Sequence, residues 1–152
     1  MSILAILLVI ASPGLASLTS ANALSSAQGD LASAMMLARG EAMKRGVPVG
    51  VAATAPVAGA EFSAGWNVFV DTNGNGRYDV GETIVRQQAA YRRDIHLSTT
   101  SGATAVSFSP RGYLAPTTLV TFMVCSSATT KGYRVLVEPV GLADVADSTS
   151  CP

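Results

Sequence analysis

Charge is scarce in this sequence of 152 residues: 13% of positions are Asp, Glu, Lys or Arg, where about a quarter is usual in soluble domains. Ten basic and ten acidic side chains cancel to a formal charge of zero, so the basic surplus that draws nucleic acid is missing. Histidine occurs once, as His96, and its apolar neighbours Ile95 and Leu97 read as a half-exposed strand position with a structural role. The only cysteines are Cys125 and Cys151, too few for a thiolate metal cluster. No G-x-S-x-G elbow, phosphate-binding GK[ST], H-E-x-x-H or C-x-x-C occurs, so no motif points to an enzyme. Aromatic residues make up 6%, and Trp66 and Phe69 read as sheet packing.

What is present is unevenly spread. From Met1 to Ala38 the only charged side chain is Asp30; the other nineteen lie between Arg39 and Pro152. Ser2 to Leu18 carries no charge and has a solid apolar run from Ile3 to Ala11. As a helix it would be roughly 26 Å long, just short of a typical ~30 Å hydrocarbon core. A cleaved secretory signal would need a basic segment ahead of the apolar run, and nothing positive precedes it.

The helical pattern continues. Leu24, Gln28, Leu31, Met35, Ala38 and Ala42 alternate at spacings of four and three, one stripe of an amphipathic helix. Ser25, Ser26, Asp30 and Glu41 occupy the other side. Lys44 and Arg45 suit the negative end of the helix dipole, Gly46 suits the first position past the end, and Pro48 bars a return to helix. These residues predict one helix over 3–45, a membrane half and an amphipathic half, kinked near Pro13-Gly14.

From Val47 onward the period becomes two. Predicted strands are Pro48–Ala53, Gly65–Asp71, Glu82–Gln88, Asp94–Thr99, Thr104–Ser109, Leu119–Cys125 and Gly132–Glu138. Short strands after one long helix give an α+β class, with a sheet packed on the amphipathic half of the helix. The expected division is an N-terminal helix over 1–46 and a β-rich head over 47–152.

LASAMMLARGEAMKRGVPVGV (31–51), GWNVFVDTNGNGRYDVGETIVR (65–86), VSFSPRGYL (106–114), VTFMVC (120–125), YRVLVEPVG (133–141) and the terminal Cys151 follow the apolar helix in that order. With them the chain resembles the GspH/FimT family of minor type IV pilins and type II secretion pseudopilins. The resemblance implies a pilin-like fold and a structural subunit rather than an enzyme. Its implied partners are inner-membrane lipid before assembly and other pilin or pseudopilin subunits afterwards. The implied location is the bacterial inner membrane, single-pass, with the head in the periplasm or on a filament surface.

Two departures from the family stand out. Its members open with a short basic leader and a GFTLIE-like motif cut by a prepilin peptidase. Neither is present here, so both are expected upstream of Met1, and the peptidase is a partner only in that case. Some members bind DNA in natural transformation, through Arg-rich sequence after the last strand. Here that place reads GLADVADS (141–148), and Arg86, Arg92 and Arg93 near Tyr91 form only a thin basic patch. DNA is therefore the alternative partner rather than the expected one.

Asp71, Asn73, Asn75, Arg77, Asp79 and Glu82 fit a calcium-loop pattern, D-x-[DN]-x-[DN]-G-x5-E, in which Arg77 would offer its carbonyl. The flanks read as strands, so the same residues also fit a β-hairpin turn whose Asn-Gly pairs supply positive φ, and the family commonly carries such a hairpin. No cofactor is expected beyond a weak Ca2+. Cys125 and Cys151, placed by the resemblance in an oxidising compartment, are expected to form a disulfide. It would close a 26-residue loop, worth roughly 3 kcal/mol by chain entropy.

Overall fold

A computed structural model describes residues 2–148 and 151, with side chains described from Leu18 onward. Helix α1 spans Ser2–Arg45, within a residue of its predicted bounds. The expected kink at Pro13-Gly14 and the Ile3–Ala11 side chains lie outside what is described. Helix α1 ends as its sequence requires. Gly46 takes φ +69°, and its N–H donates to the Ala42 carbonyl at 3.0 Å, which satisfies one of the orphan carbonyls of the last turn.

Nine strands follow: β1 Val49–Ala53, β2 Trp66–Val70, β3 Ile84–Gln88, β4 Ile95–Thr99, β5 Ala105–Phe108, β6 Leu114–Ala115, β7 Val120–Ser126, β8 Gly132–Val137 and β9 Ala143–Ser148. They form two antiparallel sheets rather than the single sheet expected, with orders β3-β2-β1-β5-β6 and β4-β7-β8-β9. Alternation shows which faces are apolar but not which strands pair, so the split is invisible in the sequence. Helix α1 packs against both sheets.

The core is the helix stripe meeting the inner faces. Leu24, Ala27, Leu31, Ala34, Met35, Ala38 and Ala42 are buried against Val49, Val51, Trp66, Val68, Val106, Phe108, Phe122, Val124, Val135 and Val137. Gln28, predicted in the stripe, lies at its margin, half-buried; Ala27 and Ala34 take the interior, because a Gln amide there would need hydrogen-bond partners. All of β2 is buried, Phe69 included. Trp66 and Val68 face the helix, whereas Phe69 lies on the outer side, over Gly50 of β1.

Strands β6 and β9 were not predicted. GLADVADS, read as sequence beyond the last strand, supplies β9, which pairs along its whole length with β8. Asp144 and Asp147 are exposed there. Acidic residues are depleted from central strands but tolerated, even protective, at a sheet edge.

Candidate functional site

Residues 71–82 form a loop between β2 and β3 whose side chains hold it together. Asp71 is 1% exposed; its Oδ1 accepts the Asn75 N–H at 3.1 Å and its Oδ2 the Gly76 N–H at 2.8 Å. Asn73 and Asn75 each donate through Nδ2 to Asp79 Oδ2 at 2.7 Å. The side-chain Oδ1 atoms of Asn73 and Asn75 accept the N–H groups of Asn75 and Arg77. Glu82 takes the Thr72 N–H on one oxygen and the Asp79 N–H on the other, both at 2.9 Å. Gly74, Gly76 and Gly81 have φ between +72° and +103°, conformations that a side chain would strain.

The six residues predicted as a calcium loop are thus brought together, and every carboxylate among them accepts donors from the loop itself. Asp79 is held below its ordinary pKa by the Asn73 and Asn75 amides, with a smaller contribution from the Arg77 charge. Among the described residues, no group of three or more His, Cys, Asp or Glu is spaced to hold a metal ion. The geometry matches the hairpin-turn alternative in its Asn side chains and glycine positions.

The arginines near Tyr91 are placed differently from a nucleic-acid patch. Arg86 reaches from β3 to the helix, with Nη2 3.1 Å from Asp30 Oδ1 and Nη1 3.0 Å from Ser33 Oγ. Its Cζ lies 5.4 Å from the Trp66 ring centre, a cation–π contact. The Trp66 Nε1–H donates to the Tyr91 hydroxyl at 3.2 Å. Burial pushes the Tyr91 pKa up to about 12; the Trp66 bond and Arg86 oppose this and Asp30 adds to it. Arg92 pairs with Asp94 at 3.0 Å, and Asp94 also accepts the Ser20 hydroxyl at 3.0 Å. Desolvation works to raise the Asp94 pKa, but the Ser20 and backbone hydrogen bonds and Arg92 outweigh it and hold it low. Arg86 therefore ties β3 to the helix, and Arg92 braces Asp94, which Ser20 of the helix also contacts. Arg93 is exposed.

Sequence reading missed Glu61. Its buried carboxylate accepts the Gly59 N–H at 2.9 Å and the Thr99 N–H at 3.0 Å, while Ser63 Oγ accepts the Leu97 N–H at 2.8 Å. Together they close the free edge of β4, a place otherwise open to strand pairing. Burial works to raise the Glu61 pKa, and the backbone N–H bonds overcome it, leaving it lowered. No motif marks this role, because the capped edge is 38 residues away in sequence.

Cys125, at the end of β7, and Cys151 form the expected disulfide, with Cα atoms 5.7 Å apart. It ties Cys151 to β7, an inner strand of the β4-β7-β8-β9 sheet. His96 lies opposite Cys125 on β4 and is exposed between buried Ile95 and Leu97, as its neighbours predict.

Similarity to known proteins accords with this geometry. The solved structure of the type IV minor pilin FimU of Pseudomonas aeruginosa superposes with a TM-score of 0.72 at 22% identity, covering 89% of this chain and 96% of FimU. The minor pseudopilin EpsH from the type 2 secretion system of Vibrio cholerae gives 0.59 at 14% identity, covering 81% of this chain and 95% of EpsH. At such identities these likenesses establish the fold. No curated sequence matches the chain significantly. A sequence profile of the family described as type II transport protein GspH matches residues 27–141, from the buried helix stripe to the turn before β9. The chain therefore belongs to the GspH family, and its helix on a β-rich head is the fold of structural pilins.

Proposed function

We propose that this chain is a structural subunit of a pilus or secretion filament, a minor pilin or pseudopilin. The observation that carries this reading is the helix itself. It is 44 residues long, and among its described side chains, from Leu18 onward, the buried apolar ones run from Leu24 to Ala42. The sequence ahead of them, Ser2 to Leu18, is uncharged and mostly apolar, and a helix apolar all round calls for an apolar environment. Lipid supplies one before assembly and the helices of neighbouring subunits supply one after it. A filament is an open heterologous assembly, so each subunit offers different faces to its neighbours.

The finer reading is a single-pass subunit of the bacterial inner membrane with its head in the periplasm. Among the described residues no helix is long and apolar enough to cross a membrane. We place the anchor in Ser2–Leu18, which is uncharged and mostly apolar in sequence. The disulfide suits an oxidising compartment. DNA binding is not favoured, because Arg86 and Arg92 are engaged with Asp30 and Asp94.

Shearing filaments from cells that express the chain, tagged at its C-terminus, from its own locus tests this reading. The chain should appear in the sheared fraction, and its deletion should reduce either surface pili or the release of secreted enzymes. Recovery only as a monomeric membrane protein, with both processes intact, would refute it.

A further inference from the structure

The outer face of the β3-β2-β1-β5-β6 sheet carries a feature that the filament reading does not use. Asn67 of β2 points away from the helix, in register with Ala52 of β1, which is itself in register with Ala105 of β5. This row floors a trough of about 440 Å³, walled by Arg77 and Tyr78. Arg77, Thr104 and Ala105 also line a second trough of about 470 Å³ that runs on to Ser107 and Pro116, so the two form one channel across the sheet. Its floor is made of small side chains, which leave room for another chain.

Asn67 is only 7% exposed, and its Oδ1 has no hydrogen-bond partner. A buried, unpaired acceptor is destabilising and rare in folded proteins. An amide side chain presents a donor and an acceptor side by side, the complement of a main-chain N–H and C=O. Along the channel only two charged side chains occur, Asp71 and Arg77. Both Asp71 oxygens are taken by the Asn75 and Gly76 N–H groups. Arg77 is exposed and makes no side-chain hydrogen bond or ion pair among the described residues. Nearby Asp79 is occupied by Asn73 and Asn75.

We propose that this channel binds an extended acidic segment of another polypeptide, with its main chain on the Asn67 amide and a carboxylate on Arg77. A guanidinium pairs with a carboxylate in a directed, charge-assisted bond.

The test uses the isotope-labelled full chain in detergent micelles and two pooled libraries of terminally blocked heptapeptides. One pool fixes Asp or Glu at the centre and the other fixes Asn or Gln. Nuclear magnetic resonance follows the backbone amides of Ala52, Thr104 and Ala105, which line the channel and are present in every variant. Saturable shifts are expected with both pools, about tenfold tighter with the acidic one. Asn67→Ala should abolish saturable binding of both pools. Arg77→Gln, an exposed change that leaves the fold alone, should remove the preference for the acidic pool and leave the neutral pool unchanged. The proposal is overturned if neither pool binds saturably, if binding is indifferent to both substitutions, or if the pools bind equally well to the unmodified chain. Saturation of the same shifts by acetate alone would mean a small-anion site and would overturn it too.

Discussion

A methyl group at Gly132 would sit 2.3 Å from Cys151 Sγ and 3.1 Å from the Val124 carbonyl oxygen. Neither neighbour is the free end of a flexible side chain, so Gly132→Ala must displace the disulfide or the sheet. Overpacking of this kind costs about 1–3 kcal/mol. Under oxidising conditions the variant should melt below the wild type and show titratable thiols; once both proteins are reduced, the gap should narrow. Equal melting in the oxidised state would show that the site has room. Tyr91 gives a prediction in pH. Its folded pKa, near 12, lies above the ordinary value of 10.0, so folding favours the neutral phenol. That contribution is complete below pH 10 and is lost as pH rises through about 12, where both states ionise. Between those limits the wild type should lose more stability than Tyr91→Phe, measured by denaturant unfolding at each pH. Parallel losses in the two proteins would contradict the assignment.

Among the elements, the β2–β3 loop and the helix clamp behave differently under mutation. Asp71→Ala leaves the Gly76 N–H without an acceptor and the Asn75 N–H with Asn73 Oδ1 alone, a loss of about 1–3 kcal/mol, and should lower the melting temperature. Because the loop's own donors occupy its carboxylates, adding Ca2+ or a chelator should leave the wild-type melt unchanged. A rise with Ca2+ would hand the loop to the cation. The helix, its end at Gly46 and seven strands were legible to within two residues, because alternation, the terminal basic residues and the Gly-x-Pro break each have a local cause. Strand β9 was not, because a segment holding Asp144 and Asp147 lacks strand propensity and is held in place by β8. The disulfide partners could be named because there were only two candidates. The Asp71–Glu82 residues were found as a set, but their internal bonding depends on which way each amide turns, which spacing does not encode. In sequence Arg86 reads only as part of a thin basic patch; its contacts with Asp30 and Trp66 bring together positions 56 and 20 residues apart. Glu61 gave no signal at all.

For the whole molecule, the two halves of α1 should respond in opposite ways to the same substitution. Leu31 is fully buried where the helix meets the sheets, so Leu31→Asp places an unpaired carboxylate in the core. Such a charge costs several kcal/mol even after relaxation, comparable with the total stability of a domain. The head should then fail to fold cooperatively. Ile6 belongs to the uncharged Ser2–Leu18 segment, ahead of the core stripe in sequence, and the filament reading assigns it to assembly rather than to the head. The Ile6→Asp variant should keep the wild-type melting temperature and form its disulfide, yet fail to fractionate with membranes or enter filaments, because an ionised carboxylate is costly in lipid and in a helical filament core alike. The comparison separates folding from assembly, since each substitution adds one carboxylate and differs only in its place along the helix. A Leu31→Asp protein that melts like the wild type would break the link between the buried stripe and head stability. An Ile6→Asp protein that still assembles would mean that the first half of α1 is not the surface on which filament neighbours meet.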